Sequence, residues 1–146
     1  MAIPKAGRVL AVDWGERRFG LALSDESQII ATPLVTLTRR AGKRFPMPAF
    51  LKLLDSHGPV GLVVGLPLTA EGAEGPAAAA ARELAERLSR RTSLPVELVD
   101  ERMTTARARA AIREQEGSAR GRKGDVDALA ATVLLQGFLE RRRNAG

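Results

Sequence analysis

The sequence predicts an α/β protein: a mixed five-stranded sheet, three antiparallel strands followed by two parallel crossovers, flanked by helices. Three observations carry this. Apolar runs of strand length open the chain at residues 9–12, 19–23 and 29–38, with only turn-sized gaps between them. Two later runs, 60–64 and 95–99, each follow a stretch of helical period. The length, 146 residues, suits one domain with its own core, so 1–146 is expected to fold as a single unit.

Taken in order, the first run ends in a carboxylate, Asp13, and a glycine turn before an alternating stretch from Phe19 to Leu23. That pattern reads as a buried strand, a tight turn and an antiparallel return. After a polar turn at Ser24-Asp25-Glu26-Ser27, the third strand contains Pro33, which cannot donate to a ladder, so this strand is expected at a sheet edge or to begin after the proline. Residues 38–43 form a basic loop. A short helix over 48–57 follows, with Phe50, Leu51 and Leu54 on one face, lone His57 at its end and Gly58-Pro59 stopping it. The fourth strand, 60–64, breaks at Gly65-Leu66-Pro67-Leu68. Pro76 starts an alanine-rich helix to about Arg91, its buried stripe Ala80, Ala81, Leu84, Ala85 and Leu88, its wet side paired as Glu83–Arg87 and Glu86–Arg90. The fifth strand, 95–99, ends in Asp100 and Glu101. A helix over 103–115, a glycine-rich basic loop over 117–124 and a last helix opened by Asp125 complete the chain. The last helix has the stripe Val126, Ala130, Val133, Leu134, Gly137 and Phe138, and its tail, Arg141-Arg142-Arg143, is expected to fray.

Composition narrows the functions. The net charge of +6 favours an anionic partner. With no cysteine, disulfides, thiolate metal sites and a cysteine nucleophile are excluded. No run approaches a membrane span and the N-terminus lacks a signal-peptide pattern, so a cytoplasmic protein without membrane partners is expected. Aromatic residues make up 3% of the chain, too few for stacking along many bases to dominate any nucleic-acid binding.

Three carboxylate positions stand at comparable places. Asp13 ends the first strand, Glu101 follows the last, and Asp127, with Asp125 beside it, lies in the first turn of the closing helix. Sites after strand ends gather at one rim, and a helix packed across that rim can present Asp127 to them. Hard divalent cations take oxygen ligands of this kind, and two ions can activate a water and stabilise a leaving oxygen in phosphodiester hydrolysis. Plainer readings stand beside this one. Asp125 and Asp127 complement a helix dipole, Asp100 serves a turn, Glu101 pairs with Arg102, and the basic loop with Arg120, Arg122 and Lys123 is solvated surface.

Four pieces together resemble the YqgF family, pre-16S ribosomal RNA nucleases related to Holliday junction resolvases. They are Asp13-x-Gly15-x-x-Arg18-x-Gly20 with Ser24-Asp25, Val64-Gly65-Leu66-Pro67-Leu68, Asp100-Glu101-Arg102-Met103-Thr104-Thr105, and Lys123-x-x-Val126-Asp127-x-x-Ala130-Ala131. The resemblance implies a ribonuclease H-like fold and a metal-dependent nuclease, using Mg²⁺ or Mn²⁺, that matures the 5′ end of 16S ribosomal RNA. It implies Asp13, Glu101 and Asp127 as catalytic metal ligands, with Asp125 as an additional candidate. It also implies Arg18 and Lys123 near the phosphates, joined by Arg102, Arg120 and Arg122 in nucleic-acid binding, and Arg102 and Thr104 supporting Glu101. Thr69 stands where the family usually has asparagine. Gly124 stands where related resolvases carry a further carboxylate. RNA is the expected partner and DNA the alternative, the latter as a junction resolvase acting as a homodimer where the RNA enzyme can be a monomer. A non-catalytic nucleic-acid-binding factor of the same fold is the other alternative.

Overall fold

A computed structural model describes residues 2–39, 44–69, 71–103 and 123–145. Five strands form one sheet: β1 (Val9–Asp13), β2 (Arg18–Ser24), β3 (Ala31–Thr38), β4 (Gly61–Leu66) and β5 (Val96–Asp100), in the order β3-β2-β1-β4-β5. β1 pairs antiparallel with β2, and β2 with β3, while β4 runs parallel to both β1 and β5. The expected mixed sheet is therefore the observed one, with β1 at its centre. Pro33 sits on the edge strand as anticipated, where the register between β2 and β3 shifts by one residue: Leu21 faces Val35 but Ala22 faces Pro33. β4 continues two residues further than its hydrophobic run implied. Gly65 and Leu66 pair with Val99 and Asp100, and all six of its residues are buried.

Helices α1 (Met47–His57) and α2 (Pro76–Thr92) cover one face of the sheet, and α3 (Lys123–Ala145) the other. Gly58, in the left-handed region at φ 56°, ends α1 by donating its N–H to the Leu54 carbonyl. Pro76 opens α2, whose buried stripe is Ala78, Ala81, Leu84, Ala85 and Leu88, so Ala78 stands where Ala80 was expected. Of its two anticipated ion pairs, Glu86–Arg90 forms at 4.0 Å. Alternation along the strands sorts the side chains by size. Leu10, Val12, Phe19, Leu21, Leu62 and Val64 fill the layer under α1 and α2. Val9, Ala11, Ala22, Ala31, Val63 and Val99 line the face under α3, and the alanines let that helix pack close to the sheet.

That close packing corrects the stripe expected for the last helix. Val126 is exposed at 53%, and Ala130 is exposed as well. The face against the sheet carries Ala131, Leu134, Leu135, Phe138 and Leu139. Leu134, Gly137 and Phe138 of the expected stripe are thus buried, while Ala131, Leu135 and Leu139 stand in for Val126 and Ala130. The helix also begins two residues earlier than expected, which moves Lys123 and Gly124 out of the loop and into its first turn.

The basic tail does not fray. Arg142 donates to the Ile3 carbonyl at 2.8 Å and to Gln28 Oε1 at 3.0 Å, and its guanidinium lies 5.3 Å from the Phe138 ring centroid. Gln28 in turn donates to the carbonyls of Pro4 and Gly7. Gln136 and Arg143 bond the backbone at Ile29 and Ala31. The end of α3 is thereby fastened to the N-terminal segment and to the β2–β3 connection, which fixes the whole helix as a rigid support. Among the described residues no helix is long and apolar enough to cross a membrane. The helix expected over 103–115 and most of the glycine-rich loop over 117–124 lie outside the described residues, apart from Met103 in a short 3₁₀ turn and Lys123 and Gly124 in α3.

Candidate active site

Asp13 is the last residue of the central strand, paired with Gly20 on β2 one step beyond the end of the ladder to β4. Its neighbours Ala11 and Val9 belong to the core layer under α3, so alternation turns Asp13 to that side of the sheet. Two glycines flank it. Gly20 is its partner on β2, and Gly65 on β4 follows Val64, the partner of Val12. Each admits another element to Asp13.

A β-carbon on Gly20 would overlap the backbone carbonyl of Asp127. The missing side chain lets α3 rest its backbone on β2 next to Asp13, and so brings the Asp127 carboxylate within electrostatic range of Asp13. A β-carbon on Gly65 would stand 2.6 Å from Glu101 Oε1 and 3.0 Å from Leu134 Cδ2. Glu101 starts beyond β5, two strands from β1, and reaches back across the end of β4 through this gap. Its carboxyl meets that of Asp13 in a hydrogen bond.

The turn that aims Glu101 is built by its neighbours. Asp100 Oδ1 accepts the N–H of Arg102 at 2.9 Å, and the Arg102 guanidinium forks onto the same carboxylate, with Nη2 3.0 Å from Oδ2. Asp100 is thus held below the usual carboxylate range by Arg102. Arg102 therefore pairs with Asp100 and not with Glu101, because the tight 3₁₀ turn (Glu101–Met103) folds it back over the strand end. It supports Glu101 only by fixing this turn.

Burial above all pushes the Asp13 carboxyl up, to about 9, followed by the hydrogen bond to Glu101 and the negative charges of Glu101 and Asp127. The site holds more negative charge than its own cations offset, and Asp13 answers by holding its proton. Asp127 has a partial answer: Arg18 Nε lies 2.7 Å from its Oδ2. That contact is an ion pair without hydrogen-bond alignment, since Oδ2 is buried and accepts no hydrogen bond among the described residues. Arg18, itself exposed, is consequently engaged with a carboxylate.

These features match the donor set of a hard divalent cation: oxygen ligands, uncompensated charge and an orphaned buried oxygen. Among the described residues no three acidic or histidine side chains are close enough to hold an ion as they stand. Asp13 is held protonated, and Asp127 leans to Arg18. Ser24 and Asp25 serve the fold: Ser24 Oγ accepts the N–H of Val9, and Asp25 Oδ1 accepts those of Ile29 and Ile30. His57 ends α1, and Thr69 Oγ1 closes its own loop by accepting the N–H of Ala73. Arg120, Arg122, Thr104 and Thr105 lie outside the described residues, as do the side chains of Lys123 and Asp125. Gly20 and Gly65 are the site-forming residues that the motifs contained but the reading of carboxylates passed over. Their signal was present, since a glycine inside a strand pattern marks a close approach of another element.

The comparisons agree with this architecture. The RuvX family model, described as Holliday junction resolvase, matches residues 7–141. A relative from Koribacter versatilis (strain Ellin345), named "Putative pre-16S rRNA nuclease", is 43% identical over 136 residues, covering 93% of this chain and 88% of its own. A relative of the same name from Paracoccus denitrificans (strain Pd 1222) is 39% identical over 145 residues, covering 99% and 91%. Among solved structures, RuvC of T. thermophilus in complex with a Holliday junction substrate has a TM-score of 0.65 at 14% identity, over 96% of this chain and 98% of that one. The yeast mitochondrial Holliday junction resolvase has a TM-score of 0.57 at 10% identity, over 99% and 85%. At such identities the two structures establish the shared ribonuclease H-like fold. With its sequence matched from residue 7 to 141 and aligned almost end to end with its relatives, the chain belongs to the RuvX (YqgF) family.

Proposed function

We propose that the protein is a metal-dependent nuclease that hydrolyses phosphodiester bonds, with 5′-end maturation of pre-16S ribosomal RNA as its task. The observation that carries this reading is that Asp13, at the sheet rim, lies within electrostatic range of both Glu101 and Asp127, which come from two other elements. A plain structural role gives no reason to bring three carboxylates within range of one another. The names of the curated relatives supply the substrate.

On this reading Asp13, Glu101 and Asp127 hold Mg²⁺ or Mn²⁺, with Asp125 as a further candidate ligand. A bound divalent cation lowers the pKa of its water and offsets charge on the phosphate. Asp13, whose carboxyl is pushed up by burial, must first release its proton. A phosphate oxygen would take over the Arg18 guanidinium from Asp127, and Lys123, Arg120 and Arg122 are the further basic residues offered to the polyanion. An RNA substrate of this kind also assigns the protein to the cytoplasm.

The description of the family model favours a second reading, a Holliday junction resolvase acting on DNA as a homodimer. One experiment separates them. Labelled single-stranded RNA, duplex DNA and a four-way junction are incubated with Mg²⁺, Mn²⁺ or EDTA, using wild type and Asp13→Asn. Metal-dependent cutting of RNA that Asp13→Asn abolishes supports the proposal. Preference for the junction selects the resolvase, and binding without cutting by either form selects a non-catalytic factor.

A further inference from the structure

On the opposite face of the sheet from the three carboxylates lies a cleft of about 540 Å³, large enough for a nucleotide. Trp14 lines it. Because Trp14 follows Asp13 directly, the two side chains leave the rim on opposite faces: Asp13 toward α3, Trp14 into the layer under α1 and α2. The buried rings of Phe19 and Phe45, packed edge to face at 4.7 Å between centroids, also line the cleft.

The walls are cationic. Arg39 comes from the end of β3, Arg44 from the segment before α1, and Arg87 and Arg90 from α2, against one acid, Glu83. Arg39 is held in place, its guanidinium 5.7 Å from the Phe19 ring centroid and its Nε bonded to the Glu16 carbonyl. Arg90 is committed only to an exposed contact with Glu86 at 4.0 Å, which is too weak to remove it from use. Guanidiniums around an aromatic floor suit a phosphate joined to a planar base. A duplex keeps its bases stacked inside and could offer such a cleft only phosphates.

We infer that this cleft binds an unpaired nucleotide of the strand being cut, its base against Trp14 and its phosphates on Arg39, Arg44, Arg87 and Arg90. A strand with one phosphate at Asp13 has its neighbouring nucleotides at the same rim, within a residue's reach of Trp14. The assignment rests on the nuclease reading and gives it a substrate class: a single-stranded segment beside the scissile bond.

Trp14 is the sole tryptophan of the chain and reports the site directly. Its fluorescence is titrated in EDTA with a five-nucleotide single-stranded RNA and with an abasic strand of equal length and charge. The base-bearing strand should quench saturably and bind several-fold tighter than the abasic one. Arg87→Ala with Arg90→Ala, both on the outer side of α2, should weaken binding about tenfold and reduce the log–log salt slope by about 1.4, two phosphate contacts at about 0.7 each. Absence of quenching, equal binding of the abasic strand, or an unchanged salt slope in the folded double variant would overturn the assignment. Metal-dependent cleavage is measured separately. Cutting without quenching removes the cleft and leaves the nuclease, while quenching without cutting does the reverse.

Discussion

The backbone carbonyl of Asp127 occupies the space that a side chain on Gly20 would fill. Gly20 is also the ladder partner of Asp13, so a single missing methyl group sets the spacing between two carboxylates that are 114 positions apart in the chain. Gly20→Ala must therefore move α3 away from β2. The obstacle is backbone, which cannot rotate aside, and an insertion of this kind into a packed contact costs about 1–3 kcal/mol. We expect a lower melting temperature, and a loss of cleavage of about 100-fold or more because Asp127 is displaced. Thermal denaturation and cleavage rates on the same preparation check this.

Gly65→Ala makes a complementary case. Here the new methyl group meets Glu101 Oε1 and the tip of Leu134, both ends of side chains that can turn away. The fold should lose less than with Gly20→Ala, but Glu101 can no longer cross β4 to Asp13. The expected result is an enzyme with near-normal melting and strongly reduced kcat. A variant that cuts normally would show that Glu101 reaches the site by another path.

Asp100 and Arg102 test the turn. Arg102 is exposed and Asp100 half-buried, so breaking their ion pair should change stability little. Asp100→Ala also removes the acceptor for the Arg102 N–H that fixes the start of the 3₁₀ turn. Activity should fall by up to about 100-fold through misplacement of Glu101, while affinity for a single-stranded RNA in EDTA stays within about twofold, since no phosphate contact is removed.

What the sequence showed and what it hid divide along range. β1, β2 and the edge position of Pro33 were legible because alternation and proline chemistry act within a few residues. Asp13, Glu101 and Asp127 were legible as strand-end and helix-start carboxylates because the topology follows from the order of elements. The engagement of Arg18 with Asp127, and of Arg142 with the Ile3 carbonyl and Gln28, depends on partners more than a hundred positions away. Nothing local in Arg141-Arg142-Arg143 distinguishes a staple from a frayed tail. The stripe of α3 was misread at Val126 and Ala130 for a related reason: which side of the helix meets the sheet is set by its close contact with Gly20, far away in the chain. Arg142→Ala should accordingly lower stability by about 2 kcal/mol, as charge-assisted hydrogen bonds on buried carbonyls are lost, measurable as a shift in urea midpoint.

The last prediction concerns pH. Asp13 ionises in the ordinary carboxylate range when unfolded but is pushed up to about 9 when folded, by burial first and then by Glu101 and Asp127. Below that range both states carry the proton and pH has no effect through this group. Between the two values the folded state holds a proton that the unfolded state has lost, so stability in EDTA falls as pH rises, by at most about 1.4 kcal/mol per pH unit for one group. Above about 9 both states are ionised and the loss is complete. Asp13→Asn removes the ionising group, keeps the shape, and should flatten the slope while stabilising the EDTA-treated protein near pH 8. Excess Mg²⁺ or Mn²⁺ should flatten the wild-type slope in another way, by binding the ionised carboxylates of the folded state. The pair of outcomes is diagnostic. A slope that survives Asp13→Asn assigns the proton elsewhere, and a slope indifferent to the cation separates the buried carboxylates from the metal chemistry proposed for them.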